Sequence, residues 1–349
     1  MSSPALASAS MSQVGERPFF TLCRTPLRVS LFGGGTDYPE WFQRQPGAVL
    51  GFTIDKYIYM SALRLSSFVE YRFRFAYSQT ELVEAPADVS HPVMRAVLLR
   101  EDYREPLDCS IQADLPASAG LGSSSAFTVG FTNLVSALKG VSRSKLELAR
   151  LAIDTEQKLL DERVGVQDQL HAAFGGINRF NFEGDKISIE PLHIGATDVD
   201  SLSSWMVLVY TGLKRNASEV LCEQLENTTA KRVDTELGRM VQLVGAAQSI
   251  LEGLHGDELP RELARLLCEG WQLKKSLSNR VTTPAIEELY DACLRHGALA
   301  GKLCGAGGGG FLLMIVPPDA GPSFTQAIGA DRCVPFKIEQ YGSTIRECW

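Results

Sequence analysis

Clustered glycines place the strongest limit on how this chain folds. Twelve of its 31 glycines stand in four short groups, at residues 33–35, at 120 and 122, at 175–176, and at 305 with 307–310. Flexible linkers spread glycine among serines, whereas these groups lie beside apolar segments that predict strands and helices. Glycine lets a backbone adopt left-handed conformations and approach a neighbour closely. The pattern therefore predicts a folded chain whose loops include at least one anion-binding loop.

Length and charge narrow the class of protein. A chain of 349 residues predicts about two domains. Lys and Arg number 34 against 41 Asp and Glu, and the net charge of −7 disfavours nucleic acid or an anionic membrane as a partner. No apolar run approaches the length of a membrane span. Small molecules are therefore the expected partners, and the oligomeric state is left open.

The termini and cysteines indicate the compartment. Residues 1–18 are rich in Ser and Ala and lack the apolar stretch of a signal peptide, so we predict a disordered tail. None of the eight cysteines forms a C-x-x-C pair, which favours reduced thiols over metal or disulfide sites. A cytoplasmic protein is the expectation.

Strand and helix patterns mix without a repeating βαβ rhythm, which predicts an α+β fold. Residues 19–32 and 333–340 predict strands, and residues 123–138 predict a helix. A capping box at Ser144 begins another helix that we expect to run to about residue 163. The polar stretch 195–204 is the expected boundary between an N-terminal domain of residues 19–197 and a C-terminal domain of residues 198–349.

The second glycine group joins a predicted strand to an apolar helix, where free N–H groups and the helix dipole favour an anion. A Gly/Ser turn that merely caps the helix fits the segment equally well. No G-x-x-x-x-G-K-[ST] pattern occurs, so the chain is not a P-loop NTPase. The candidate phosphate-binding residues are Pro116, Ser118, Gly120, Leu121, Gly122, Ser123 and Ser124.

The last glycine group, residues 305–310, matches G-x-G-x-x-G but is not a dinucleotide fingerprint. An apolar strand pattern follows it, where the dinucleotide fold requires a helix. A hairpin turn needs only one or two glycines. Five in six positions predict a backbone that passes very close to another loop or to a ligand.

Two carboxylates are candidates for a functional role, and each also has a simpler structural explanation. On a helical wheel Glu156 lies in the middle of an apolar sector, where a carboxylate is costly unless it is paired or bound to metal. A salt-bridged or snorkelling glutamate is the simpler alternative. Asp168 lies between apolar and amide neighbours, and capping a short helix would explain it.

Taken together, three ordered motifs over about residues 22–345 resemble those of the GHMP kinases. They are Pro26-Leu27-Arg28-Val29-Ser30-Leu31-Phe32-Gly33-Gly34-Gly35-Thr36-Asp37-Tyr38, Gly120-Leu121-Gly122-Ser123-Ser124-Ser125-Ala126, and residues 305–310 leading into a strand. The resemblance implies a two-domain α+β fold, with an N-terminal ribosomal-protein-S5-like domain and a C-terminal ferredoxin-like domain, and ATP bound at the second motif.

The resemblance also implies roles for individual residues. Ser124 and Glu156 would hold Mg²⁺, Asp168 would act as base toward the acceptor hydroxyl, and Arg28 would lie beside Asp168. Asp37 matches a sugar-contacting aspartate of the galactokinase-like branch. The residues expected around the acceptor are Gly34, Gly35, Thr36, Asp37, Gly307 and Gly308.

The first motif departs from galactokinases, which read Gly-Glu-His-Thr-Asp-Tyr there. The two missing side chains suggest a pocket opened to a longer or phosphorylated sugar. This run resembles the branch of the family that acts on D-glycero-D-manno-heptose 7-phosphate, as do residues 49–59, 166–169, 210–215 and 301–303. That branch phosphorylates the anomeric C1 hydroxyl, giving a 1,7-bisphosphate for nucleotide-activated heptose. Lys214, Arg215 and Lys302 would contact the sugar's own phosphate, or else be solvated surface cations.

Other readings of the sequence stay open. A fucokinase-like or other anomeric sugar kinase would share these motifs. A catalytically silent sugar sensor on the same fold would be expected to lack the base or the metal carboxylate, and both are present. The sugar-type first motif argues against a decarboxylase.

Overall fold

The computed structural model describes residues 19–66, 68–213 and 217–348. The predicted tail of residues 1–18 lies outside them, as do Lys214 and Arg215. The first part of the chain forms β1 Phe20–Phe32, α1 Pro39–Phe42, β2 Gly47–Arg64, β3 Phe73–Ala76, β4 Thr80–Val83, a 3₁₀ turn Pro86–Asp88, α2 Pro92–Arg100, β5 Leu107–Ala113, α3 Ser123–Leu138, α4 Lys145–Asp154, a π-helical turn Thr155–Leu159, α5 Gln167–Phe174, β6 Ile177–Glu183 and β7 Lys186–Pro191.

The remainder forms a second set of elements. These are α6 Ala196–Ser204, β8 Met206–Tyr210, α7 Ala217–Thr229, α8 Asp234–Gly253, α9 Glu258–Ser276, α10 Pro284–Arg295, β9 Ala300–Leu303, β10 Phe311–Ile315, α11 Gly321–Ile328, β11 Cys333–Pro335, β12 Ile338–Glu339 and β13 Thr344–Cys348. None of the described helices is long and apolar enough to span a membrane.

The larger sheet is built on the long antiparallel pair β1 and β2. Its strand order is β13-β1-β2-β5-β3-β4, and β6 and β12 also pair with β2. The first half of β1 alternates between buried and half-buried residues, whereas the second half is buried throughout. Helices α3 and α5 cover β1 on one side, and α8 and α9 reach it from the other half of the chain. The buried end of β1 therefore lies where the two halves of the chain meet.

The smaller sheet has the order β11-β8-β10-β9 and is antiparallel throughout. Its elements follow the split βαβ arrangement. Along the chain this is one strand, a helical segment, two strands, a helix and a last strand. The predicted ferredoxin-like second domain within an α+β fold is thus confirmed.

The C-terminal segment crosses between the two sheets. The single strand predicted over residues 333–340 is instead two short strands, because β11 pairs with β8 of the smaller sheet and β12 with β2 of the larger. β13 then pairs with β1. The proposed C-terminal domain of residues 198–349 therefore contributes its last strands to the sheet of the N-terminal domain.

Helix α3 covers the predicted residues 123–138, but α4 is shorter than predicted. Its capping box forms at Ser144 and Glu147 as expected. The α-helix ends at Asp154 and continues as one π-helical turn, where the Arg100 guanidinium donates to the Leu151 carbonyl and the Thr155 hydroxyl. The Thr155 N–H still bonds to the Leu151 carbonyl, and the wider turn begins with the bond from the Leu160 N–H to the Thr155 carbonyl, at 3.0 Å.

His171 is a buried ring without polar partners. It lies on α5, and neither ring nitrogen has a hydrogen-bond partner among the described residues. Its ring meets Phe180 edge-on with the centroids 4.7 Å apart. Burial lowers the pKa of His171 to about 3. The native protein therefore keeps this imidazole neutral well below pH 6.5, where a free imidazole gains its proton.

We expect His171→Leu to reduce the loss of stability in acid. The unfolded chain gains a proton on this histidine as the pH falls below 6.5, whereas the native protein does not gain it until about pH 3. Between pH 7 and pH 5 the wild type should lose about 2 kcal/mol more than the variant. Urea unfolding at several pH values measures the difference. His296→Leu, at an exposed position, is the control, and equal pH slopes for His171→Leu and wild type would contradict the prediction.

Candidate active site

A cavity of about 260 Å³ opens at the buried end of β1. Residues from both halves of the chain line it, including the first glycine loop, the segment between β5 and α3, the start of α5, and α7, α9 and β9. The polar and charged residues in its wall are Arg28, Ser30, Asp37, Tyr38, Ser118, Ser123, Ser124, Ser125, Gln167, Asp168, Gln224, Lys274 and Lys302.

One side of the cavity is the predicted phosphate loop. Ser118, Gly120 and Gly122 have positive φ angles of 59°, 80° and 72°, which turn the chain sharply into α3. The first helical hydrogen bond runs from the Ala126 N–H to the Gly122 carbonyl, at 2.9 Å, so the three preceding N–H groups carry no helical bond. They lie at the positive end of a 16-residue helix, which favours an anion.

The other predicted loop residues play different parts. Leu121 is fully buried, and its carbonyl accepts the Arg28 N–H at 3.0 Å, which anchors the loop to β1. Pro116 is exposed and does not line the cavity.

The loop of residues 305–310 lies directly against the phosphate loop. A Cβ on Gly305 would approach the Gly120 Cα to 2.5 Å, and one on Gly310 would approach the Ala119 carbonyl oxygen to 2.4 Å. Only glycine permits these backbones to lie so close, which is the close approach that the glycine run predicts. Gly307 and Gly308 lie against Val281, and the cavity is lined instead by Gly305 and Ala306.

Arg28 and Asp168 form a bidentate ion pair in the cavity wall. The guanidinium donates to both Asp168 oxygens, at 2.7 and 2.8 Å, and its third nitrogen donates to the Gly120 carbonyl at 2.7 Å. The aspartate is therefore held at the phosphate loop and is not the cap of α5, whose N-cap is Val166. A Cβ on Gly122 would lie 3.0 Å from the Arg28 side chain, so glycine is needed here too.

Asp37 is the second cavity carboxylate, and it is 1% exposed. Its Oδ1 accepts the Gly35 N–H at 3.0 Å, and its Oδ2 accepts the Gln167 N–H at 3.4 Å. Burial, with the nearby Asp168 charge, raises the pKa of Asp37 to about 6. Its neighbour Thr36 does not line the cavity, since its buried hydroxyl donates to the carbonyls of Gly33 and Ala48.

Glu156 lies fully buried in the π-helical turn beneath the phosphate loop. Its Oε2 accepts the Ser125 hydroxyl at 2.9 Å and the Gln169 amide, and its Oε1 has no partner among the described residues. Burial raises the pKa of Glu156 to about 7. Ser125, not the predicted Ser124, is the serine that contacts this carboxylate; Ser124 is exposed and faces the cavity.

These groups fit the hard oxygen chemistry that Mg²⁺ prefers. Glu156 Oε1 is a buried carboxylate oxygen without a hydrogen-bond partner among the described residues, and the other oxygen of this carboxylate accepts the Ser125 hydroxyl at the head of α3. No cluster of three acidic, His or Cys ligands occurs in the described parts of the chain. Mg²⁺ held here would therefore take most of its ligands from phosphate oxygens and water.

Two buried lysines complete the wall. Lys302 donates to the carbonyls of Ser30 and Leu31, at 2.9 and 2.8 Å, and Lys274 donates to those of Leu303 and Gly305. Within residues 19–66, 68–213 and 217–348, neither has a carboxylate within ion-pairing distance. Burial lowers the pKa of both, that of Lys302 to about 8.

Lys274 is a cavity residue that the sequence analysis did not identify. It shares the apolar face of α9 with Leu267 and Trp271. The same helical wheel that marks Glu156 as anomalous would have marked it.

Comparison with known proteins agrees with this arrangement. Residues 91–176 match the GHMP kinases N terminal domain, and residues 250–332 match the GHMP kinases C terminal domain. D-glycero-alpha-D-manno-heptose 7-phosphate kinase of Campylobacter jejuni is 29% identical over 311 residues, which are 84% of this chain and 89% of that protein. The bifunctional fucokinase/GDP-fucose pyrophosphorylase of Arabidopsis thaliana is 25% identical over 323 residues, which are 86% of this chain and 30% of that protein.

A solved structure gives the same architecture. The D-glycero-D-manno-heptose 1-phosphate kinase from Bacteroides thetaiotaomicron superposes with a TM-score of 0.77 at 25% identity, covering 94% of this chain and 99% of that one. Since both family domains match in order, and the fold agrees over nearly the whole length of each chain, the protein belongs to the GHMP kinases, which transfer a phosphoryl group to an alcohol.

Proposed function

We propose that the protein is an ATP- and Mg²⁺-dependent sugar kinase that phosphorylates the anomeric C1 hydroxyl of D-glycero-D-manno-heptose 7-phosphate. The product would be the 1,7-bisphosphate, a precursor of nucleotide-activated heptose. The observation that carries the proposal is the position of Asp168, which Arg28 holds at the wall of the same cavity as the phosphate loop.

The phosphate loop suits the donor. Free N–H groups at the start of α3 and the hydroxyls of Ser123 and Ser124 would bind the phosphates of ATP. Mg²⁺, when bound by Glu156 and the adjacent serines, would neutralise phosphate charge that builds up during transfer. Phosphoryl transfer depends mainly on positioning and charge stabilisation, and the rigid contact between the two glycine loops supplies the positioning.

Asp168 suits the acceptor. Both of its oxygens bind Arg28, yet the side chain keeps 25% of its surface exposed to the cavity. An acceptor hydroxyl placed there would be oriented by the carboxylate and would give up its proton to it as the new O–P bond forms and the bond between the γ-phosphorus and the departing ADP breaks. The guanidinium fixes the position of the carboxylate with two hydrogen bonds.

The relatives named above support a phosphorylated heptose as the acceptor, and their names differ in where the phosphate stands, at position 7 or at position 1. Lys302 and Lys274 support the same class of acceptor. Each ammonium donates two of its three hydrogens to carbonyl oxygens, so one remains for an anion in the cavity. Lys214 and Arg215 remain proposed contacts outside the described residues.

A fucokinase-like kinase is the second candidate, favoured by the 25% identity to the plant fucokinase. The silent sugar sensor is the third candidate.

We propose a cytoplasmic location for the protein. The seven cysteines whose state is described are all free thiols, which supports this proposal.

A coupled assay of ADP release tests the proposal. We expect turnover with D-glycero-D-manno-heptose 7-phosphate and little with free heptose, fucose or galactose. Asp168→Asn should lower turnover roughly 10²–10⁴-fold while ATP binding is retained, because it removes the proton acceptor and not the phosphate loop. Turnover of free fucose alone would overturn the substrate, and full activity of Asp168→Asn would overturn the role of the base.

Glu156→Gln should separate stability from activity. The native carboxylate, with its pKa of about 7, holds its proton more tightly than the unfolded chain with 4.5, so the wild type loses stability as the pH rises between these values. Above pH 7 the variant should be more stable by up to about 3 kcal/mol. It should also lose Mg²⁺-dependent turnover and the thermal shift caused by Mg²⁺ with ADP. Glu288→Gln, at an exposed position, is the control, and a Glu156→Gln variant that gains no stability over the wild type between pH 5 and pH 8 would contradict the prediction.

Lys302 should impose an upper pH limit on binding of the sugar phosphate. Its ammonium is charged below about pH 8 and neutral above it. The KM for the sugar phosphate should therefore rise roughly tenfold from pH 7 to pH 9, and Lys302→Met should abolish this rise. The KM for ATP and the exposed variant Lys186→Met serve as controls. If the KM for the sugar phosphate still rises with pH in Lys302→Met, the ammonium does not bind the substrate and serves only to hold β1 through its two carbonyl bonds.

A further inference from the structure

The first glycine loop does not leave an empty pocket, because two amide side chains reach into the space beside it. A Cβ on Gly35 would lie 2.8 Å from Gln224 Nε2. A Cβ on Gly34 would lie 3.6 Å from Gln167 Nε2 and 3.5 Å from Ser30 Oγ. The large side chains that galactokinases carry in this motif would displace these groups. The two glycines and the three polar side chains are therefore matched to each other.

Two of these polar side chains have an oxygen atom without a partner. Ser30 Oγ and Gln167 Oε1 are buried and have no hydrogen-bond partner among the described residues. The residues are 9% and 8% exposed, and both line the cavity. Buried polar atoms are nearly always paired, and an unpaired one is costly. Two adjacent exceptions that face a cavity indicate that a ligand supplies the missing bonds.

The chemistry of the three groups selects the kind of ligand. A serine hydroxyl and two carboxamides are neutral and together offer both donors and acceptors. A sugar hydroxyl, which both donates and accepts, matches this set, whereas a phosphate group would need cations such as those on the lysine side of the wall.

The place of these groups in the fold puts them beside the reacting centre. Ser30 follows Arg28 by two residues on β1, so the two side chains lie on the same face of the strand. Gln167 directly precedes Asp168 at the start of α5. Gln224 comes from α7, in the other half of the chain, and meets them across the cavity.

We propose that Ser30, Gln167 and Gln224 form a polyol subsite, which binds the acceptor hydroxyls next to the one that is phosphorylated and determines which sugar is accepted. The inference rests on the proposed function in taking a sugar as the acceptor. It assigns to the glycines of the first motif the task of making room for these amides.

Steady-state kinetics of Ser30→Ala, Gln167→Met and Gln224→Met test the subsite, with Gln242→Met at an exposed position as the matched control. Each subsite variant should raise the KM for the sugar acceptor roughly tenfold and leave the KM for ATP unchanged. The thermal midpoint of Ser30→Ala should be unchanged or raised, because this variant removes a buried hydroxyl without a partner. A merely structural role would instead lower the midpoint and affect both substrates.

Monodeoxy analogues of the acceptor sharpen the test. If an amide binds a particular hydroxyl, then removing either the amide or that hydroxyl should weaken binding of the acceptor. Removing both should reduce the binding free energy little more than removing one of them. The proposal would be overturned by variants that leave the acceptor KM unchanged. It would also be overturned if, for every analogue, the losses of binding free energy from the variant and from the missing hydroxyl simply add.

The choice of acceptor keeps the two proposals separate. If the wild type turns over another sugar but not the heptose phosphate, the heptose assignment fails. The subsite is then tested by measuring the KM of the same variants for that sugar. If the wild type neither binds nor phosphorylates any sugar of the panel, both proposals are overturned.

Discussion

The ion pair between Arg28 and Asp168 is the interaction around which the cavity is built. It joins β1 of the larger sheet to the start of α5, and the third nitrogen of the guanidinium joins both to Gly120 of the phosphate loop. A planar guanidinium with several donors can hold a carboxylate and a carbonyl at the same time, which an ammonium cannot do with the same geometry. The loop before α3 and the Asp168 carboxylate are thereby held at a set position relative to each other.

Several charged groups around this pair are buried at a cost to stability. The pKa values of Asp37 and Glu156 are raised by burial, and those of Lys274 and Lys302 are lowered by it. A core optimised only for folding would not keep such groups. Shifted values of this kind cluster at functional sites, since groups held ready for a charged ligand cannot be fully neutralised without it. Two neutral oxygens of cavity residues, Ser30 Oγ and Gln167 Oε1, also lack hydrogen-bond partners, and we propose that they await the hydroxyl groups of a ligand.

Much of the fold could be read from local patterns. The helix of residues 123–138 was predicted because its start, its apolar content and its end are each encoded nearby, and Glu156 was found because a carboxylate breaks an apolar face. The length of α4 was wrong because the α-helix gives way to a π-helical turn at Thr155, where Arg100, far away in sequence, makes its contacts. The strand predicted over residues 333–340 was divided because its two halves face different sheets, and pairing partners are not encoded in periodicity.

The sequence by itself determined the glycine loops, the start of α3, the two central carboxylates and, through its ordered motifs, the family. These features depend on residue type and local spacing, which the chain carries within a few residues. Only the tertiary structure decided that Ser125 and not Ser124 reaches Glu156, that Gly307 and Gly308 lie on Val281, and that Lys274 enters the cavity wall. The direction of a side chain relative to distant neighbours depends on how sheets and helices pack, and that packing exists only once both halves of the chain are assembled.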